Sequence, residues 1–279
     1  MFSVIIPTKN SRYSSLSRAI ESVSNDLVDE IIVVYDGTVD STQVEKLRSS
    51  LAKAKLKVLT TGTKCYGPGK ARQVGLGEAK GKYILFLDSD DEFEKGALYK
   101  LKNHIESKNQ PDIVVLDLLM KSGDTKSHRL DLPLFETVSK TNLIRDIFQL
   151  RTRAEVMLNC INTRFLKQTN ISFREGIHED IDYNFLLFSN VVSWTVARDV
   201  VYIKHLTEGS ITSDFRKDHV EGLFGAYENM LSHVSPFKDK KHEIAFGVVN
   251  MIGSLISKIV HNGNEASWKK FKEYLVEWL

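Results

Sequence analysis

Hydrophobic positions along this chain follow two regimes. Over roughly the first 120 residues, short apolar runs alternate with segments whose apolar residues recur every three or four positions, the pattern of strands joined by crossover helices in a parallel sheet. Phe2–Ile6, Glu30–Tyr35, Lys57–Thr61, Tyr83–Leu87 and Asp112–Leu118 read as strands, with helices around Tyr13–Ser24, Ser41–Ala54, Pro68–Ala79 and Gly96–Ser107. Tyr83–Leu87 is apolar throughout, as suits a strand covered on both faces. The middle of the chain is less regular. Lys121–Asp131 is polar enough for a hairpin or an exposed loop, Asn142–Leu150 and Asp180–Phe188 read as helices, and Ala154–Ile161 and Val200–His205 read as strands. Beyond Thr212 come long helical segments, Val220–Val234, Ile244–Val260 and Ser267–Leu279, punctuated by Pro236 and Gly263. The pattern predicts an α/β domain over residues 1–212, with a mostly parallel central sheet flanked by helices, and a C-terminal helical region over 213–279.

Composition narrows the setting. A chain of 279 residues, 42% of them hydrophobic, is long enough for a sizeable core. A net charge of +2 with 27% charged residues gives no basic footprint for nucleic acid. Cys65 and Cys160 lie far apart without paired spacing, which fits a reducing cytoplasm. The apolar run at the N-terminus stops at Pro7 without a basic leader, and no run approaches the ~18 consecutive apolar residues of a membrane span. The expected setting is cytoplasmic, or peripheral on the inner face of the membrane. Trp268, Phe271, Leu275 and Trp278 share one helical face beside Lys269, Lys270 and Lys272. That face either packs on the rest of the protein or a partner, or lies on a membrane surface.

In open α/β sheets, ligands collect at the carboxyl ends of the strands. Three such ends are polar here: Thr8-Lys9-Asn10, Asp36-Gly37-Thr38 and Asp88-Ser89-Asp90-Asp91. In extended geometry Asp88 and Asp90 face the same side, and their mutual repulsion favours a hard divalent cation. Two readings of this segment stand: a metal bridge to a diphosphate, or a solvated acidic turn. Asp36 before Gly37 is either a ligand to a base or ribose, or ordinary turn chemistry. Gly67-Pro68-Gly69-Lys70-Ala71-Arg72 opens a helix whose amides, with Lys70 and Arg72, favour an anion. It is not a P-loop, because Pro68 stands where a lysine is needed and Ala71 follows Lys70. His178-Glu179-Asp180 precedes an apolar helical face at Ile181, Phe185 and Phe188, where acids are also favoured by the helix dipole alone.

Taken in order, these segments resemble the inverting glycosyltransferases of the GT-A fold, in particular family 2, which builds bacterial polysaccharides. The matching stretches are Ser3–Asn10, Glu30–Thr38, Gly67–Leu76 and Gly81–Asp91, thinning afterwards to His178-Glu179-Asp180 and Tyr202 with Ser210-Ile211-Thr212. The resemblance implies a nucleotide-sugar donor, by family habit UDP-linked, and a glycan or lipid-linked acceptor. It implies that Pro7 and Thr8 line the nucleotide pocket, that Asp36 meets the base, and that Arg72 lies near the base or diphosphate. Asp88 would approach the ribose or metal beside Ser89, and Asp90 would be the main protein ligand of Mn²⁺ or Mg²⁺. Asp180 would be the catalytic base, partial burial raising its pKa. His205 falls where some relatives place a residue near the diphosphate or metal, and Lys70, Asp91 and Glu179 are further candidates. Two departures matter. Tyr35 replaces the first of a usual pair of acids, and Phe185-Leu186-Leu187-Phe188 stands where the family often has an arginine.

Other classes fit less well. A haloacid-dehalogenase-like phosphotransferase also uses Asp-x-Asp, but normally near the start of its domain and not followed by Asp91-Glu92. A sugar nucleotidylyltransferase needs a glycine-rich loop where Pro7-Thr8-Lys9-Asn10 stands. A nucleotide-sugar binding module without turnover would look the same if Asp180 were not catalytic.

Overall fold

A computed structural model describes residues 1–9, 11–50, 55–123, 125–128, 139–152, 155–206, 217–234, 240–262 and 265–278. Asn10, the Ser210-Ile211-Thr212 stretch, Pro236, Gly263, Leu279 and the boundary expected at 212–213 lie outside the described residues. Among those described, nine strands form one mixed sheet. The strands are β1 (Phe2–Thr8), β2 (Val28–Tyr35), β3 (Leu56–Thr60), β4 (Tyr83–Phe86), β5 (Glu92–Phe93), β6 (Ile113–Ser122), β7 (Thr125–His128), β8 (Asn159–Asn162) and β9 (Trp194–His205). Their order is β3-β2-β1-β4-β8-β6-β9-β5, with β7 pairing β6 as a hairpin.

The first four strands pair in parallel, and the crossover helices α1 (Tyr13–Val23), α2 (Ser41–Ser50) and α3 (Pro68–Glu78) connect them. Every residue of β1 and β4 is buried, because layers cover both faces and leave no polar alternation. α1 seats Leu16, Ala19, Ile20 and Val23 against the sheet at helical spacing. One buried acid breaks the apolar run in β2. Glu30 accepts from the Ser3 hydroxyl at 2.7 Å and the Lys80 amide at 2.6 Å and pairs with Lys57, which satisfies the charge.

Past β4 the sheet turns mixed. β8 is antiparallel to both β4 and β6, and β9 runs parallel to β6. The β6–β9 register slips between Leu116/Ala197 and Asp117/Val201, so three residues, Arg198, Asp199 and Val200, intervene on β9 between successive pairs. This bulge explains why only the second half of β9, from Val200, carries a readable strand pattern. The segment expected as a strand at Ala154–Ile161 is instead a short 3-10 turn, Val156–Leu158, followed by β8.

The remaining helices are α4 (Ala97–Ser107), α5 (Lys140–Phe148), α6 (Thr163–Thr169), α7 (Glu179–Asn190), α8 (Lys217–Leu231), α9 (Lys240–Asn262) and α10 (Glu265–Trp278). The C-terminal helices pack onto the sheet domain. Tyr227 of α8 donates to the Phe148 carbonyl at 2.6 Å, Gly247 of α9 abuts the Phe148 ring, and Tyr274 of α10 stacks on Phe224 at 4.8 Å. Phe271 is buried and Trp268 packs beside it, so at those residues the aromatic face of α10 turns inward. α9 buries Met251, Leu255 and Ile259 but exposes Phe246, Val249, Ile256 and Val260. Its segment Lys241–His261 is long and apolar enough to cross a membrane by length and composition, which a search for unbroken apolar runs misses because Asn250, Ser254 and Ser257 interrupt it.

Candidate active site

The carboxyl ends of β1, β2 and β4 lie side by side, and they bring Thr8, Asp36 and Asp88–Asp91 to one edge of the sheet. Pro7 and Thr8 are buried there, and the Thr8 hydroxyl has no hydrogen-bond partner among the described residues. An unpartnered buried hydroxyl at a strand end is the kind of group a ligand satisfies.

Asp36 does more than end β2. Its Oδ1 accepts from the Tyr66 amide at 2.7 Å and the Thr61 hydroxyl at 3.2 Å, and its Oδ2 accepts from the Gly67 amide at 2.9 Å. The carboxylate thereby organises the loop that starts α3, whose first residues have no side-chain cap of their own. The Cys65 thiol donates to the Asp36 carbonyl at 3.3 Å. Lys70, on the first turn of α3, is turned outward and lies 3.5 Å from Glu175.

Arg72 is the centre of the site. It is buried, donates to Asp88 Oδ1 at 2.9 Å through one nitrogen and to Glu179 Oε1 through another, and lies over the Phe173 ring at 5.9 Å. Burial works to lower its pKa, but Asp88, Glu179 and Asp180 outweigh that and hold the guanidinium charged. Arg72 therefore bridges the end of β4 to the start of α7, reaching Glu179 across 107 residues of sequence.

The acidic segment after β4 sorts into distinct roles. Asp88 is partly exposed, and its amide donates to the Tyr202 hydroxyl oxygen at 3.1 Å. The Ser89 hydroxyl pairs with that of Ser11, and Arg18 of α1 donates to the Asp90 carbonyl. Asp91 is buried and accepts from the Tyr202 hydroxyl and the His205 amide, both at 2.8 Å. Burial, with repulsion from Asp88 and Asp90, pushes its pKa up to about 8. Asp91 thus ties β9 to the turn rather than facing outward, and His205 directs its ring to Glu92 at 2.8 Å.

Asp180 sits in the first turn of α7, beside Glu179. Burial first, then repulsion by Glu179 and Glu155, opposed by Arg72, raises its pKa to about 8. In its ionised form a carboxylate with so raised a pKa is a stronger proton acceptor than a free aspartate. Burial also raises the pKa of Glu179, against the pull of Arg72.

The turn that delivers α7 is held from two sides. Gly176 and His178 have positive φ, +94° and +58°. On the α3 side, Gly176 N–H donates to the Tyr66 carbonyl at 2.7 Å, and a Cβ on Gly67 would lie 2.2 Å from the Gly176 oxygen. On the α8 side, Arg174 donates to the Gly222 carbonyl at 2.9 Å, Asn229 donates to Asp182 at 2.7 Å, and the rings of His178 and His219 meet at 3.1 Å. Burial, followed by electrostatic repulsion from the side chains of His219, Lys258 and Arg174, pushes the His178 pKa down to about 3.

Sequence reasoning missed Arg18, Glu155, Arg174 and Lys204. Lys204 lies 3.2 Å from Glu155 and on the same face of β9 as Tyr202, two residues before it. Only that period-2 relation was visible beforehand. The other three acquire their roles through contacts between distant segments.

A mixed sheet with this strand order, an acidic segment after β4 and a second acid pair brought to it on a helix define a glycosyltransferase of the GT-A fold. The chain belongs to glycosyl transferase family 2, whose family model matches residues 3–182. It is 26% identical over 232 residues to the succinoglycan biosynthesis protein ExoO of Rhizobium meliloti, covering 78% of this chain and 64% of that protein. It is 31% identical over 216 residues to the poly(ribitol-phosphate) β-N-acetylglucosaminyltransferase TarS of Staphylococcus aureus, covering 72% of this chain but 35% of TarS. The crystal structure of S. aureus TarS 1–349 in complex with UDP-GlcNAc superposes with a TM-score of 0.72 at 25% identity, covering 97% of this chain and 78% of that one.

Proposed function

We propose that the protein transfers a sugar from a nucleoside-diphosphate donor, by its similarity to TarS a UDP-sugar, to a hydroxyl of a cell-surface polymer or its lipid-linked precursor, with inversion at the anomeric carbon. The observation that carries this reading is the Arg72 bridge, which joins the donor edge at Asp88 to the helix start bearing Glu179 and Asp180. In this reading Pro7, Thr8 and Asp36 surround the base and ribose. Asp180 accepts the proton of the acceptor hydroxyl as that oxygen attacks the anomeric carbon and the bond to the diphosphate breaks. Arg72, held charged by its carboxylate neighbours, keeps the acid pair facing the donor edge and adds positive charge there.

The residues also fit a divalent cation. Among the described residues no three His, Cys, Asp or Glu side chains gather into a closed cage. What supports the fit is hard oxygen chemistry at Asp88 and Asp90 and the repulsion from those two acids that adds to burial in raising the Asp91 pKa. Asp90, with Asp88, would hold Mn²⁺ or Mg²⁺, which when bound offsets negative charge on the departing diphosphate.

Two free cysteines and the exposed apolar residues of α9 support a cytoplasmic enzyme working at the inner membrane face. The test is a thermal-shift screen of nucleotide-sugars with and without Mn²⁺, followed by nucleotide release in the presence of acceptor. A UDP-sugar should give the largest shift, and Asp90→Ala should lose its metal-dependent part while keeping the fold. Binding without any turnover would mark a non-catalytic module, and release of inorganic phosphate would mark a phosphotransferase.

A further inference from the structure

At the opposite edge of the sheet from the candidate active site, a recess of about 890 Å³ opens beside the start of β4. Lys80, Lys82, Arg164 and Lys167 line it, against the single acid Asp112. None of the four cations has a carboxylate partner among the described residues, whereas Asp112 spends one oxygen on the amides of Val192 and Ser193. Four unpaired cations converge on one recess of a protein whose net charge is only +2.

The recess is also built rigidly. The Lys80 amide donates to Glu30 at 2.6 Å, the Gly81 amide donates to the Ser3 hydroxyl at 2.7 Å, and the Thr163 hydroxyl and amide donate to the Gly81 and Lys82 carbonyls at 2.6 and 3.0 Å. Gly81 cannot be enlarged, since a Cβ would lie 2.4 Å from the Ser3 nitrogen. Arg164 and Lys167, three apart on α6, share a helix face. On the far wall Asn109 and Gln110 both hold φ of +57°, an uncommon conformation for two successive non-glycine residues.

We propose that this recess docks a phosphodiester-linked polyanion, the growing acceptor polymer of the reaction proposed above. The inference rests on that reading for its setting and on charge complementarity for its ligand. Six residues of near-extended chain separate Lys82 from Asp88, so the recess stands about 20 Å from the donor edge. A mono- or disaccharide acceptor cannot span that distance, but a polymer can occupy both places at once. The second contact would then raise the effective concentration of acceptor ends at Asp180. A short neutral acceptor would gain nothing from it.

The probe is fluorescently labelled long-chain inorganic polyphosphate, titrated against the full chain by anisotropy at several salt concentrations. Wild-type protein is expected to bind with an affinity that falls steeply as salt rises. Lys80→Glu with Lys167→Glu should weaken binding by about tenfold or more and flatten the salt dependence, and the milder Lys80→Gln with Lys167→Gln should fall between. Thermal melting reports whether each variant is folded. In transfer assays the charge-reversed variant should show a raised KM for a long polyanionic acceptor, with nucleotide release on a short acceptor unchanged. Identical polyphosphate binding by wild type and variants would overturn the proposal. So would recruitment of the wild type by phosphatidylglycerol vesicles with no affinity for polyphosphate, which would make the recess a lipid contact. Because the anisotropy arm needs no turnover, absence of nucleotide release from every protein would sink the transferase reading and leave the recess standing.

Discussion

The donor edge and the base-bearing helix are built in opposite ways. Thr8, Asp36 and Asp88 each end a buried parallel strand or follow it within two residues, so the sheet places them and little else is needed. Asp180 has no such support. Its position depends on a turn with two positive-φ residues, pressed by α3 from one side and by α8 from the other. A site can therefore be half topology and half long-range clamp. The second half should be the more fragile, and its fragility should show in turnover before donor binding.

The largest effect is expected from Asp180→Asn. It removes the proton acceptor and leaves the donor edge intact, so transfer should fall about 10²–10⁴-fold. Calorimetry should find nucleotide affinity unchanged; equal loss of both would mean that the two regions are not separable. Arg72→Met cuts the bridge itself. Glu179 is then left buried without its cation, at a cost of about 3–5 kcal/mol in urea unfolding. A loss below 1 kcal/mol would show that Glu179 takes up a proton and needs no partner.

Gly222→Ala tests the clamp from α8. Its Cβ would lie 2.4 Å from the Ile177 carbonyl oxygen. An expected cost of about 1–3 kcal/mol should come with a fall in kcat larger than any change in donor affinity. Gly77→Ala, with nothing within 4 Å of its Cβ, is the control and should be neutral or slightly stabilising.

Near neutral pH the smallest effect is a pH dependence, which grows only in acid. His178 titrates near 3 in the folded protein against 6.5 as a free side chain. The unfolded chain therefore binds the extra proton between those values. Stability from this group is complete above pH 6.5 and declines as pH falls toward 3, by at most about 1.4 kcal/mol per pH unit. His178→Asn, which tolerates the left-handed backbone, should flatten that slope in acid melts.

Legibility in the sequence follows the same division. The parallel half was readable because buried strands and amphipathic crossovers leave periodic patterns, and the polar residues after them stand out. β5 has two residues and α6 seven, too few for any period to declare itself. The bulge in β9 hid its first half. The family resemblance singled out Asp180 and Arg72, but not that one arginine joins the two acids. Asp36 was expected to face a base, and its work in ordering the loop at Tyr66 and Gly67 was not foreseeable, since those amides become its partners only when β2 and α3 are neighbours. Arg174 and His219 carried no signal, because an ion pair or ring contact with a distant segment has no spacing to read.

Gly67 and Gly176 touch backbone to backbone, over 100 positions apart in the chain. Gly67 cannot take a larger residue unless the Gly176 turn moves with it, and Gly176 is held to glycine by its own φ of +94°. That makes the pair a practical filter for sorting genomic sequences of this kind. A chain that keeps its acidic segment but has lost a glycine at either place should be suspected of having retired from catalysis, even when its strands still align.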